Sequence, residues 1–221
     1  MEEKIKEYID SCIDFIQKNK EYLMHIPHWE ENIEEEMTVD RDLSLIEGKS
    51  PTVKVIQPER TAYIVNIISE KDKMWKAVNN VVSDKQVREL ESELDIILPA
   101  SYKAYLKYKH HYEIFRDLNV FLYPKPIHSW YNILLERNLA NRQIIPDKDF
   151  LWIGRFSDYG EIALKVTGKE NEEGEVVMFD YETGEIREVL AENFVSLLSS
   201  LLEMPEPRIE ELKDWEKRIY K

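Results

Sequence analysis

Apolar residues near the start of the chain recur at helical spacing. Ile5, Tyr8, Ile9, Cys12, Ile13 and Ile16 fall three and four apart, which predicts an amphipathic helix with one buried face. Pro27 ends any continuation. Residues 28–50 are polar and acidic and predict a surface loop with at most a short helix. From Pro51 to Ser69 the side chains turn β-branched and aromatic (Val53, Val55, Tyr63, Ile64, Val65, Ile67, Ile68), which predicts one or two strands separated at Pro58. Met74, Trp75, Val78 and Val82 then carry a helical spacing and predict a short helix.

The pattern sharpens at Ser83. Ser83 and Gln86 have capping-box spacing, followed by Val87, Leu90 and Leu94 at three- and four-residue steps. Ile96, Ile97, Leu98 and Pro99 break this helix and predict an apolar plug at the corner. Pro99 suits the first turn of a second helix faced by Tyr102, Tyr105, Leu106 and Tyr108. Strands are predicted at Val120 to Tyr123, Phe150 to Ile153, Glu161 to Val166, Glu175 to Phe179 and Ile186 to Val189, with turn signals at Gly168, Gly174 and Gly184. A helix is predicted from Ser129 to Arg137. Another carries Phe194, Leu197, Leu198, Leu201 and Leu202. A last one, near Pro207, carries Ile209, Leu212, Trp215 and Ile219. Helices, then a strand meander, then helices is an α+β order, with no internal repeat.

Charge narrows the class of partner. The 221 residues hold 30 Lys+Arg and 44 Asp+Glu, a net charge of -14. The acid excess lies in residues 1–50 and 151–221, while the middle is near balance. An acidic chain is poorly suited to coating nucleic acid or an anionic membrane surface; a basic protein partner is compatible with it. The single cysteine, Cys12, allows no internal disulfide and no cysteine zinc site. The first residues lack a signal-peptide pattern, and no apolar run reaches the roughly 18 residues of a spanning helix. The expectation is a cytoplasmic protein.

Catalytic chemistry finds little support. His25 and His28, with Glu30 and Glu31 after them, have one-face spacing, but Pro27 interrupts the helix and no third metal ligand is signalled. Adjacent His110 and His111 point about 100° apart in a helix, so they do not share one substrate easily. His128 and Ser129 lack a nucleophile elbow. Cys12 sits on an apolar face, where burial raises a thiol pKa. With 6 glycines the chain holds no phosphate-binding loop. No catalytic residue, metal site or cofactor is predicted, which favours a binding protein over an enzyme.

The stretch from Val82 to Met204 resembles the SUKH superfamily, which includes a yeast cell-wall assembly regulator and many bacterial toxin-immunity proteins. Four segments carry the resemblance in order. VSDKQVRELESELDIILPASYKAYL is similar to the family's paired helices around a Leu-Pro corner. DFLWIGRFSDYGEIALKV is similar to its strand, turn and strand with spaced glycines. GEVVMFDYETGEI resembles its apolar strand ending in an acidic turn. LAENFVSLLSSLLE resembles its closing helix. One departure is Tyr108 to Tyr112, where the family usually has a glycine turn and this chain has none.

The resemblance implies an α+β fold: a meander of short, mainly antiparallel strands packed with flanking helices, plus an N-terminal helical extension. The implied organisation is residues 1–80 as a helix and strand extension packed on the core, 81–204 as the SUKH-like domain, and 205–221 as a C-terminal helix. It further implies an immunity protein that neutralises a cognate toxin, often a nuclease, by occlusion rather than catalysis. Two acidic-aromatic turns would suit a basic toxin surface: Asp158, Tyr159 and Glu161 in one, Asp180, Tyr181 and Glu182 in the other. The run Glu34, Glu35 and Glu36, flanked by Trp29 and Met37, is a third candidate contact. The alternatives are a cytosolic regulatory interaction protein without a toxin partner, and, last, a histidine-dependent enzyme. Self-association stays open.

Overall fold

The structure, a computed structural model, describes residues 1–18, 33–40, 73–112, 114–117, 119–145, 147–157 and 159–206. The strands predicted between Pro51 and Ser69, the helix after Pro207, and His25, His28, Trp29, Asp158 and Trp215 lie outside the described residues.

Helix α1 spans Glu2–Lys18 and buries Ile5, Tyr8, Ile9, Cys12, Ile13, Phe15 and Ile16, the face that the spacing predicts. Each isoleucine or phenylalanine of this face contributes about 1.5–3 kcal/mol of transfer free energy when removed from water. Asp10, on the rim of that face, accepts from the Tyr108 hydroxyl and the Lys109 ammonium, both at 2.7 Å.

The second helix, α2 (Asp84–Leu94), starts at a complete capping box: the Ser83 hydroxyl accepts from the Gln86 N–H, and the Gln86 side chain accepts from the Ser83 N–H. It ends at Asp95, which takes a left-handed φ of 53°. The corner after it is less apolar than expected. Leu98 is buried, its N–H held by the Glu91 carboxylate at 2.8 Å, while Ile97 points to solvent. Pro99 stands at the N-cap of α3 (Ala100–Leu106) rather than within it.

Residues 74–82 hold strand residues joined by irregular backbone, not a helix. Strand β1 (Thr38–Asp40) pairs with β2 (Lys73–Trp75), and β3 (Val78–Asn79) pairs with β4 (Lys109–His110), both antiparallel. The helical spacing in this stretch is overridden by partners far along the chain, which supply the backbone hydrogen bonds and an apolar patch. Trp75 and Val78 pack on a satellite cluster of Ile33, Met37 and Tyr112.

The centre of the molecule is a five-stranded antiparallel meander in sequential order. It consists of β5 (Val120–Leu122), β6 (Phe150–Phe156), β7 (Gly160–Val166), β8 (Glu173–Asp180) and β9 (Ile186–Ala191). Helix α4 (Trp130–Ile144), two turns longer than its predicted form, packs on β6, and α5 (Phe194–Glu203) packs on β8 and β9. Leu151 to Ile153, Ile162 to Leu164 and Val176 to Phe179 are buried without interruption. Successive strand residues face opposite ways, so both faces of the sheet are covered. α4 lies on the face of Tyr123 and Glu161, and α1, α3 and α5 on the other, where the Ser101 hydroxyl of α3 donates to Glu173.

The two spaced glycines of the second motif serve close strand approach. A Cβ on Gly154 would stand 2.3 Å from the Phe121 carbonyl oxygen, and one on Gly160 would stand 2.7 Å from the Met178 sulfur. The glycine-free stretch Tyr108 to Tyr112 runs into β4 and then pairs His111 with Lys125 in an isolated bridge.

Candidate protein-binding site

Meander connectivity puts the β6–β7 and β8–β9 turns at the same end of the sheet. The Tyr181 N–H donates to the Tyr159 carbonyl at 3.1 Å, so the two predicted turns touch. Tyr159 and Tyr181 are 44% and 48% exposed, yet neither ring is loose. The Tyr181 hydroxyl donates to Glu161 at 2.9 Å. Tyr159 stacks edge-on against Phe156 at 5.5 Å, with the Arg187 guanidinium 5.3 Å from its centroid.

The acids at this end have unequal roles. Glu161 belongs to β7 rather than to the turn, and it is buried. Its carboxylate accepts from both Tyr123 and Tyr181. Burial raises its pKa, and the two tyrosine hydroxyls and the Arg137 and Arg155 charges partly offset this. Glu161 therefore fixes Tyr181 in place and does not present charge to solvent. The phenol of Tyr181 is in turn pushed up to about 12 by burial and the nearby carboxylate.

Asp180 organises the second turn. Its carboxylate accepts from the Glu182 and Thr183 N–H groups at 2.8 and 3.2 Å and pairs with Arg187 at 3.2 Å. Those N–H donors, with the Arg187 charge, hold its pKa below the usual carboxylate range. Glu182 is exposed. The surface on offer is thus two immobilised tyrosines with Glu182 beside them.

The third candidate cluster lies elsewhere. The Glu34 carboxylate accepts from the His128 and Ser129 N–H groups at 2.9 and 2.8 Å and from the Ser129 hydroxyl at 2.7 Å. It caps the N-terminus of α4, where negative charge is favoured. Ser129, the N-cap residue, makes no side-chain cap of its own. Glu36 pairs with His128 at 2.7 Å, and this bond raises the His128 pKa. Glu35 is exposed. Ile145, beyond the other end of α4, lies near Gly184. The Glu34 cluster and the tyrosine turns are therefore separated by roughly the length of a 15-residue helix, about 22 Å, and do not form one site.

His110 and His111, the other two histidines among the described residues, are internal. His110 accepts from the Val81 N–H at Nε2 (3.2 Å), and its Nδ1 faces the Lys125 carbonyl at 3.1 Å. His111 faces the Tyr112 carbonyl with Nδ1 at 2.6 Å and the Tyr105 hydroxyl with Nε2 at 3.2 Å. Both rings are buried, and burial lowers both pKa values. Beside them the buried Lys125 ammonium donates to the Tyr105 and Leu106 carbonyls at 2.6 and 3.1 Å, the negative end of α3. Cys12 is buried and its thiol is pushed up to about 12. Among the described residues no three His, Cys, Asp or Glu side chains converge as a metal site, and no helix is long and apolar enough to cross a membrane.

Arg187, Tyr123 and Arg155 belong to the tyrosine end; Arg155 lies within the strand motif DFLWIGRFSDYGEIALKV, but none of the three is marked as a site residue by the sequence. Arg187 follows Asp180 by seven residues across a hairpin, and that offset is the one local cue to its pairing.

Residues 81–200 match the model of the SMI1 / KNR4 family (SUKH-1), more than half of the chain. The match runs from just before the α2 cap to within α5 and contains the Leu-Pro corner, the spaced glycines and both tyrosine turns. No curated protein matches the chain.

Proposed function

The chain belongs to the SMI1 / KNR4 family (SUKH-1), and from that membership we propose that it is a cytoplasmic immunity protein that binds and neutralises a cognate toxin. In this reading residues 81–204 form the binding domain, and residues 1–80 and 205–221 elaborate it. The partner is a basic protein, of which a nuclease domain is the expected example, and inhibition comes from occlusion of its active cleft or of the surface beside it. No chemical step by this chain is required.

The observation that carries the reading is the pair of fixed, half-exposed tyrosines. Tyrosines held in place before binding lose little conformational entropy on contact, and aromatic anchors dominate interface energetics. The chain's net charge of -14 adds long-range attraction toward a basic partner, which raises association rates above the neutral range of roughly 10⁵–10⁶ M⁻¹s⁻¹.

The test is a tagged pull-down from the native cell at low and moderate salt, followed by titration of the captured toxin. One-to-one capture of a basic toxin domain, weaker at higher salt, supports the proposal. The double variant Tyr159→Ala/Tyr181→Ala then binds roughly thirtyfold or more weakly, the scale of a hot spot, while it keeps a native circular-dichroism spectrum and a cooperative unfolding transition. Equal affinity removes this end of the sheet from the interface. Capture of no toxin, in cells shown to express one, points instead to a regulatory interaction protein.

A further inference from the structure

Strand β9 continues from the tyrosine turns as the last strand of the meander. Its inner edge pairs with β8, and among the described residues nothing pairs with its outer edge. An open edge is a row of unpaired backbone donors and acceptors, and natural proteins commonly shorten, cover or charge it. β9 is six residues long, has no proline, and is exposed at every position from Ile186 to Val189.

Its exposed apolar residues share one face. Ile186 lies opposite Phe179 and Val189 opposite Val177, and both inner neighbours are buried. This is the face on which α4 packs over β6, but the cover fails at β9, leaving Ile186 and Val189 at 49% and 50% exposure. Glu188, opposite Met178, stands on the other face. Glu182, Glu185, Glu188 and Glu192 are all exposed around the strand. The one base in the segment, Arg187, is engaged by Asp180 and the Tyr159 ring.

We propose that the outer edge of β9 is a docking edge for a short, extended, basic segment of a protein partner, which adds to the meander as a sixth strand. Backbone hydrogen bonds supply the register, Ile186 and Val189 meet apolar side chains on one face, and Lys or Arg on the incoming strand meets the surrounding glutamates. Register shifts between β8 and β9 bend the strand, which limits the fit to a short segment. A second copy of this chain is the poorer occupant, because it would bring two acidic clusters together. The inference rests on the protein-partner reading above and adds where and how the partner sits.

The test is hydrogen exchange on the full chain, alone and with a synthetic decapeptide of alternating Val and Lys. Two control peptides are used, one with Glu in place of Lys and one with N-methylated backbone. The expected result is fast exchange of the outward-facing β9 amides in the free chain, slowed about tenfold or more by the Val/Lys peptide and by neither control. The double variant Ile186→Lys/Val189→Lys, with an unchanged melting curve, loses that slowing. Three results overturn the proposal: outward-facing β9 amides already as protected as those of β7, protection that tracks self-association, or no change in those amides with the peptide. In complex with a captured toxin, an unprotected β9 sinks the edge and leaves the immunity reading intact. Peptide protection of β9 in a chain that binds no toxin does the reverse.

Discussion

His111 ties the stability of this fold to acid. Its ring is buried and held between the Tyr112 carbonyl and the Tyr105 hydroxyl. Burial first, then the Lys125 charge, lowers its pKa from 6.5 to about 3. As pH falls, the unfolded chain takes up this proton long before the folded one. The stabilisation is therefore complete above about pH 6.5 and drains away toward pH 3. At about 1.4 kcal/mol per pH unit, the drop from pH 7 to pH 4 removes about 3 kcal/mol. That is a large share of the roughly 5–15 kcal/mol available to a typical domain.

The perturbation that isolates this contribution is His111→Asn. Asparagine keeps a donor for the Tyr112 carbonyl but does not titrate. At pH 7 the variant loses the Tyr105 contact and some packing, a cost of about 1–2 kcal/mol. By pH 4 the order reverses and the variant is the more stable chain. Urea unfolding of both proteins at pH 7, 5.5 and 4 measures the crossing. Glu161 and Glu173, whose pKa values burial raises, favour the folded state at low pH, but both chains share them and they largely cancel in the difference. Parallel pH profiles for the two chains would refute a buried neutral His111.

Gly154→Ala sets a methyl against the Phe121 carbonyl, a backbone atom with little room to yield, and destabilises by about 1–3 kcal/mol or more; a thermal melt equal to that of the parent would contradict the packing. Glu34→Ala strips three donors at the start of α4 of their acceptor and costs about 1–2 kcal/mol in urea unfolding, with Glu34→Gln intermediate; no loss would mean that the cap is not made in solution. Glu161→Ala releases the Tyr181 hydroxyl, so under the proposed function it weakens binding of the partner through a faster off-rate while the on-rate holds. An effect confined to the on-rate would mark Glu161 as a steering charge instead.

Local pattern alone specifies α1, the capped α2, the strands of the meander and α5, because each is set by residue spacing and by caps within one turn. The two acidic-aromatic turns are legible for the same reason, and meander order already places them at one end. What those residues do was decided by contacts far apart in sequence. Glu161 reads as a turn acid until Tyr123 closes over it from 38 residues away. Glu34 reads as a solvated charge until α4, 94 residues on, presents its N-terminus. The run Met74 to Val82 has helical spacing, and only β1 and β4 turn it into strands. Lys125 carries no mark of burial in its neighbours, since its counterpart is the carbonyl end of a helix rather than a charged side chain. Spacing and capping act over a few residues and are written in the chain. Burial, which determines whether a charge is free or held, exists only once distant segments have packed together.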